Sequence, residues 1–305
     1  MINFVNAKIN LGLQIVRKRE DGYHDLQTVF YPVGKYAGTA QNPESFCDLL
    51  ELTGNFKGVK EGEEIEKLLP QFQLTGRRVD CPLEKNLIYK AACRFCQATG
   101  ADFSGMNLQL EKHLPDGAGM GGGSADASFV LRLLADEYNS ANAANKIDDE
   151  KLYEMALSLG ADCPFFILNR AAYAEGVGEK LVPIELDLTG MWLVVVKPSV
   201  YISTKEAFAG VIPKPGEFDL REISRLPIEE WRNHIKNDFE DSIIPRFPEI
   251  GEIKGKLYSL GALYSSMSGS GSSVYGIFPS EKSGAEALSN FREDATIEGC
   301  YLLKM

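Results

Sequence analysis

Residues 115–126 read Pro115-Asp116-Gly117-Ala118-Gly119-Met120-Gly121-Gly122-Gly123-Ser124-Ala125-Asp126, with five glycines among seven consecutive positions. Glycine has no Cβ, so such a stretch turns tightly and lets its N–H groups converge on one point. An alternating run leads in, with Met106, Leu108 and Leu110 on one face of a strand. A helical pattern leads out, with Val130, Leu134 and Tyr138 on one face and Ala127 and Leu131 beside them. The start of that helix offers unpaired N–H groups and a partial positive charge. Strand, bend and helix together predict an anion site, most naturally for phosphate. A plain flexible hinge is the alternative, and the short connections on both sides argue against it.

Several phosphate loops share this composition. The P-loop pattern fails, because no Lys follows the last glycine. Gly117, Gly119 and Gly122 fit G-x-G-x-x-G, and a dinucleotide fold then expects an acid about 20 residues on, closing the next strand. Asp136 and Glu137 fall at that distance but in or at the end of a helix. The several parallel strands of such a fold are not evident either. Spacing alone leaves this reading open.

The rest of the chain bounds the partners. Its 305 residues suit one large or two medium domains, and 44% apolar with 25% charged residues exclude wholesale disorder. The longest apolar cluster, residues 192–196, has the length of a strand, and residues 1–10 carry no secretory pattern. Net charge is −11, so no basic face for nucleic acid is expected, and an anion must be held locally. Cys93 and Cys96 fall in a helical pattern with Leu87, Ile88, Ala91, Ala92 and Phe95, which predicts packed thiols rather than a redox or zinc site. The histidines are His24, His113 and His234, too few to complete a zinc site.

Patterning predicts strands over 4–16, 27–33, 106–110, 171–174, 191–196 and 274–278, and helices over 86–98 and 149–159. Residues 17–22 form a charged turn, 34–80 are irregular with weaker strands, and 265–273 form a second, serine- and glycine-rich loop. Mixed strands and helices argue α+β or α/β, with a boundary near 170–190.

The loop of residues 115–125 resembles the phosphate loop of the GHMP kinases. Two further segments resemble that family's other motifs, in the expected order: Ala7-Lys8-Ile9-Asn10-Leu11 and Ser266-Met267-Ser268-Gly269-Ser270-Gly271-Ser272. Three more resemble the branch acting on a cytidine-diphosphate-linked sugar alcohol: Asp21-Gly22-Tyr23-His24 with Leu26 and Thr28, Leu159-Gly160-Ala161-Asp162-Cys163-Pro164-Phe165-Phe166, and Ala174-Glu175-Gly176-Val177-Gly178-Glu179. Asn6 stands where proline is usual, Met120 for leucine and Ser268 for threonine. Residues 34–80 are longer and less family-like.

The resemblance implies an α+β, two-domain GHMP kinase fold. Residues 1–172 would form an ATP-binding domain resembling domain 2 of ribosomal protein S5, and 173–305 a ferredoxin-like C-terminal domain. It implies a cytoplasmic, ATP-dependent, small-molecule kinase using Mg²⁺, with ATP and a cytidine diphosphate derivative as partners, and a monomer or weak homodimer. Lys8 and Asp162 match the catalytic pair: the carboxylate takes the hydroxyl proton, and the ammonium keeps it ionised and stabilises developing charge. Pro115, Asp116, Gly117, Ala118, Gly119, Met120, Gly121, Gly122, Gly123, Ser124 and Ala125 would bind ATP. Asn10, Tyr23, His24 and, more loosely aligned, Phe208 would bind the acceptor; an aromatic ring stacks on a base and a neutral imidazole reads its edge.

Blander readings stand beside these. Asp162, two residues before Pro164, is by itself a turn or cap residue. Lys8 is by itself an exposed strand lysine. Ser124 suits a helix cap, a phosphate contact or the Mg²⁺ shell. His113 and His234 match no role. The rival functions are a GHMP kinase for a small alcohol such as homoserine or a mevalonate derivative, and a non-catalytic nucleotide-binding module.

Overall fold

Asn6 cuts the first apolar run into β1 (Ile2–Val5) and β2 (Ala7–Lys18), in a computed structural model that describes residues 1–34, 46–79 and 81–305. β2 reaches into the expected charged turn, which Gly22 closes at a φ of +87° before β3 (His24–Val33). The polar region expected to be irregular holds β4 (Asp48–Gly54), the single turn α1 (Ile65–Leu68) and β5 (Gln71–Gly76). Residues 35–45 and 80 of that region lie outside the described residues.

α2 (Leu87–Thr99) starts where the Asn86 side chain accepts from the Ile88 N–H, and ends at Gly100 in the left-handed conformation. β6 (Met106–Lys112) then leads through the glycine loop into α3 (Gly122–Ala141). α4 (Asp149–Leu159) is capped by the Asp148 side chain, and α5 (Cys163–Leu168) follows. The chain continues through β7 (Ala172–Glu175), β8 (Lys180–Pro183), β9 (Trp192–Pro198) and α6 (Thr204–Ala209). It goes on through the single turns α7 (Trp231–His234) and α8 (Glu240–Ile243) to α9 (Pro248–Ser259). β10 (Tyr264–Met267), β11 (Val274–Phe278), α10 (Glu281–Ser289) and β12 (Ile297–Lys304) complete it.

Two compact units share these elements. One holds residues Met1–Ala7, Cys47–Asp116 and Gly121–Asn169. Its sheet runs β1-β4-β6-β5, antiparallel except for the parallel β5–β6 pair. Met106, Leu108 and Leu110 are buried on one face of β6, as their alternation predicts. α3 buries Val130, Leu131, Leu133 and Leu134. Each such side chain contributes about 1.5–3 kcal/mol by leaving water. Phe95, Phe103 and Tyr138 close an aromatic cluster, with Phe95 centred 5.8 Å from Phe103 and 6.0 Å from Tyr138.

The other unit holds Lys8–Phe46, Gly117–Met120 and Arg170–Met305. It carries one sheet in the order β2-β3-β7-β8 and another in the order β10-β11-β9-β12. β9 lies between β11 and β12, antiparallel to both, so its Leu193, Val194, Val195 and Val196 are buried on both faces. That explains an unbroken apolar run too short for a helix. Met267, Phe278, Ile243, Ile253, Leu257 and Phe291 build the core against it. The expected loop at 265–273 is shorter than its composition suggests, because Ser265, Ser266 and Met267 pair with β11.

Candidate active site

The glycine loop is built by its two ends. At the β6 end, the N–H groups of His113 and Leu114 donate to Oδ1 of Asp48, at 2.6 and 2.8 Å. At the helix end, Gly121 is the cap residue of α3, and Gly122 and Gly123 already lie in the first turn. The helix thus begins two residues earlier than the sequence suggests, and Ser124 sits inside the first turn rather than at its cap. Gly117, Gly119 and Gly121 have φ values of +58°, +69° and +72°. Alternating with Ala118 and Met120, they form the backbone pattern that turns successive N–H groups toward one anion. A Cβ on Gly119 would sit 2.0 Å from the Ser268 carbonyl oxygen, so only glycine fits there. Pro115, Ala118, Met120 and Ala125 are buried, while Asp116 and Gly123 are exposed.

Lys8 is 3% exposed, which overturns the exposed-lysine reading. Its backbone N–H donates to the Met120 carbonyl at 3.0 Å, tying β2 to the loop. Its ammonium donates to Asn10 Oδ1 at 2.6 Å and lies 4.8 Å from the Phe30 ring centre. Asn10 donates in turn to Thr28 Oγ1 at 2.9 Å, and its carbonyl accepts from the Tyr275 hydroxyl at 2.7 Å. Lys8 and Asn10 therefore share a face, as their spacing predicts.

Asp162 is half-buried at the N-terminal edge of α5 and makes no capping bond with its side chain. Asp162 is thus the turn residue that precedes α5, as its place before Pro164 suggests, with its side chain not used as a cap. Its neighbour Cys163 is tied to α3, for the Ser128 hydroxyl lies 2.8 Å from both the Ser124 and Cys163 carbonyl oxygens. Asn6, the departure from proline, exchanges two amide hydrogen bonds with Asn169, at 3.1 and 2.9 Å.

In the β2–β3 turn, Tyr23 is 65% exposed, and its N–H donates to Asp21 Oδ1 at 3.0 Å. His24 stacks on Phe208 with ring centres 5.0 Å apart and planes 18° apart. Burial, then repulsion from Lys18, holds the His24 imidazole below its usual pKa, so it is neutral at pH 7. The two rings touch, which leaves no space between them for a third ring and corrects the expectation of a clamp with Phe208 as its other half. The same turn borders a 940 Å³ cleft lined by Arg17, Lys18, Arg19, Asp25, Glu175 and Lys180.

Residues 86–170 match the family described as GHMP kinases N terminal domain, and residues 219–296 match GHMP kinases C terminal. The chain is 46% identical over 283 residues to the 4-diphosphocytidyl-2-C-methyl-D-erythritol kinase of Bacteroides fragilis, covering 92% of this chain and 94% of that one. It is 41% identical over 302 residues to the enzyme so named in Parabacteroides distasonis, covering 99% and 98%. A solved 4-(cytidine 5'-diphospho)-2C-methyl-D-erythritol kinase superposes with a TM-score of 0.78 at 30% identity, over 99% of this chain and 98% of that one.

The chain belongs to the GHMP kinases, in the family of 4-diphosphocytidyl-2-C-methyl-D-erythritol kinases.

This GHMP kinase is an ATP-dependent small-molecule phosphotransferase of α+β fold. None of the helices among its described residues is long and apolar enough to cross a membrane. Cys93 and Cys96 lie in α2 as expected, and burial pushes the Cys96 thiol up to about 12. No group of three or more His, Cys, Asp or Glu capable of holding a metal occurs among the described residues.

Two constellations of this kinase escape sequence reasoning. Beneath the loop, the Lys112 ammonium lies 2.7 Å from Asp126 Oδ2 and also pairs with Asp48; all three side chains are buried. Asp126 lies four residues before Val130, on the helix face that patterning marks as buried. That is the signal that could have revealed it. The second, Asn237 and Glu240, lies in a segment with no motif of its own.

Proposed function

We propose that the chain transfers the γ-phosphoryl group of ATP to the 2-hydroxyl of 4-diphosphocytidyl-2-C-methyl-D-erythritol, giving the 2-phosphate and ADP. This is a step of the non-mevalonate route to isoprenoid precursors. The observation that carries it is the likeness, along nearly the whole chain, to kinases of that name. The glycine loop supports it physically. An acidic protein with no Lys or Arg between residues 115 and 125 holds a triphosphate with backbone N–H groups and the start of α3.

Phosphoryl transfer asks for positioning and charge stabilisation rather than covalent help. Asp162 orients the acceptor hydroxyl and takes its proton as the new P–O bond forms. Lys8, held by Asn10 and tied to Met120, supplies fixed positive charge at the transferring group. Asn10 contacts the acceptor. Tyr23, His24 and Phe208 hold its cytosine, and the neutral imidazole both donates and accepts at the base edge. Mg²⁺ takes most of its oxygen ligands from phosphates and water, which suits a chain without a metal cluster among its described residues. When bound it would neutralise the triphosphate, and the Ser124 hydroxyl in the first turn of α3 is the protein group we assign to it. We assign residues 1–172 to an ATP-binding N-terminal domain and 173–305 to a C-terminal domain, in a cytoplasmic monomer or weak homodimer without nucleic-acid partners.

Pure protein with Mg·ATP and the cytidylyl acceptor should give a new phosphomonoester in phosphorus NMR. Methylerythritol 4-phosphate, lacking cytidine, should react far more slowly; equal rates would remove the roles of Tyr23, His24 and Phe208. Lys8→Ala and Asp162→Asn should each lower kcat by about 10²–10⁴-fold while nucleotide still binds. Near-normal turnover in both variants would refute the catalytic assignment. The rival acceptors, homoserine and mevalonate derivatives, serve as controls, since a pocket for cytidine has no use for either.

A further inference from the structure

Asn237 is 2% exposed and spends its whole amide on backbone. Its Nδ2 donates to the Met267 and Gly269 carbonyl oxygens, both at 2.8 Å, and its Oδ1 accepts from the Phe239 N–H at 3.1 Å. Glu240 stands behind it, 7% exposed. Its Oε1 accepts from the Ser266 hydroxyl at 3.0 Å and from the Met267 N–H at 2.8 Å, and its Oε2 pairs with Lys254. The two side chains thus grip residues 266, 267 and 269, on both sides of Ser268.

Ser268 makes the side-chain contact with the glycine loop at Gly119, and the Ser272 N–H adds a longer backbone bond to the Gly117 carbonyl at 3.4 Å. The Ser268 hydroxyl donates to the Gly119 carbonyl at 2.9 Å, and its own carbonyl occupies the space a Cβ on Gly119 would need. Gly269, with φ at +55°, packs with its Cα hydrogens toward the Gly119 carbonyl and Asn10 Oδ1. The same short segment also holds β2. The Leu13 N–H donates to the Lys236 carbonyl at 2.9 Å, the Asp238 N–H to the Leu13 carbonyl at 2.8 Å, and the Ile15 N–H to Asp238 Oδ2 at 2.8 Å. Residues 236–240 therefore tie together the strand that carries Lys8, the serine loop and, through Ser268, the glycine loop. A fold needing only a closed turn at 268 has it already, from the Ser268 N–H to the Ser273 carbonyl at 2.9 Å. The buried amide adds a fixed position for that turn against Gly119.

We propose that Asn237, buttressed by Glu240, is a positioning residue for phosphoryl transfer: it fixes the turn around Ser268, which in turn sets the glycine loop at Gly119 that receives the nucleotide phosphates. The inference rests on the reading of that loop as the phosphate site. Asn237→Asp keeps the shape and replaces the one amide nitrogen that donates to both carbonyls by a single carboxylate oxygen facing them. Misplacing a reacting group by about 1 Å costs on the order of 10²-fold.

The test compares wild type, Asn237→Asp, Asn237→Ser, Ser268→Ala and Asn237→Ser/Ser268→Ala. The readouts are ADP affinity by calorimetry, kcat and both KM values, and folding by circular dichroism. Asn237→Asp should lower kcat and weaken ADP by about 10–100-fold, with the acceptor KM within about twofold. Asn237→Ser draws its hydroxyl back from both carbonyls and so loses both bonds without adding a charge; its losses should be smaller than those of Asn237→Asp. Asn237→Ser and Ser268→Ala act through one contact, so the double variant should be no worse than the poorer single one. Folded Asn237 variants with unchanged ADP affinity and kcat would overturn the inference, as would multiplicative losses in the double variant or loss of folding in both Asn237 variants. A wild-type protein that binds no ADP would instead sink the phosphate-site reading and this inference with it. One that binds ADP but ignores the cytidylyl acceptor would sink only the acceptor assignment, and the affinity series would still decide the role of Asn237.

Discussion

Replacing Asp126 by Asn should change how stability depends on pH, and the structure sets both sign and size. Two carboxylates, Asp48 and Asp126, are buried on one ammonium, Lys112, so the fully ionised cluster carries an uncompensated negative charge out of water. One bound proton removes it. Burial drives the Asp126 carboxyl up, Lys112 opposes that, Asp48 adds to it, and the outcome is about 8. Lys112 itself stays cationic, since the two carboxylates outweigh its burial. An unfolded aspartate titrates near 3.9. Between about pH 4 and pH 8 the folded chain therefore keeps a proton that the unfolded chain has released, so stability falls as pH rises. Where the two states differ by a full proton the slope is on the order of 1 kcal/mol per pH unit, a loss of roughly 2–3 kcal/mol from pH 5 to pH 7. The amide introduced by Asp126→Asn has no such proton, yet its carbonyl can still accept from Lys112. Urea unfolding followed by far-UV circular dichroism should thus show the variant gaining on wild type by about 2–3 kcal/mol between pH 5 and pH 7. Titrating groups outside the Asp48–Lys112–Asp126 cluster cancel in the difference. A difference flat to within about 0.5 kcal/mol, the scale of an ordinary surface substitution, would show that Asp126 is ionised in the folded state and the reasoning wrong.

Phe208→Ala removes the ring under His24. It should raise the acceptor KM by about 5–100-fold, the worth of one base–aromatic stack, and leave the ATP KM within about twofold; initial-rate kinetics in both substrates decide this. The lowered His24 pKa predicts an acceptor KM that is flat from pH 8 to pH 7 and rises only at pH values below those at which a free imidazole gains its proton and loses its acceptor nitrogen. A rise already complete at pH 7 would contradict it. Gly119→Ala places a methyl 2.0 Å from the Ser268 carbonyl at a φ of +69°. The left-handed backbone alone costs about 1–2 kcal/mol, so ADP should bind at least about tenfold more weakly by calorimetry; unchanged affinity would refute the role of the loop.

What was legible in the sequence divides along physical lines. The glycine loop, the strand before it and α3 were readable because glycine spacing and apolar periodicity are local signals. Their exact join was not: Gly122 and Gly123 look like loop residues, yet they occupy the first turn of α3. Asn6 left no mark in an apolar run, because its reason for ending β1 is an amide pair with Asn169, far along the chain. The burial of Lys8 was equally hidden. Lysine is expected at the surface, and only the nine consecutive buried residues from Ala7 to Ile15 show that β2 is covered on both faces. Asn237 is the extreme case. Its partners are carbonyl oxygens some thirty positions away, and a carbonyl looks the same in every residue.

The same facts explain how an acidic chain holds a triphosphate. Lys112 is the cation beneath the loop, 3.6 Å from where a Gly122 Cβ would stand, but the buried Asp48–Asp126 pair, sharing one proton, neutralises it. Its work is structural: Asp48, fixed by that ammonium, accepts the N–H groups of His113 and Leu114 and so anchors the strand end that feeds the loop. On the proposed function, attraction for phosphate falls to aligned backbone amides and to Lys8, whose backbone is tied to Met120. Amides aimed by left-handed glycines keep their direction only while the loop is held, since glycine resists no distortion by itself. The clamps therefore matter as much as the glycines. Asp48 at the entry, Ser268 at Gly119 and the strand of Lys8 at Met120 convert the most pliable residues of the chain into fixed donors, and preorganised donors are what an electrostatic site requires.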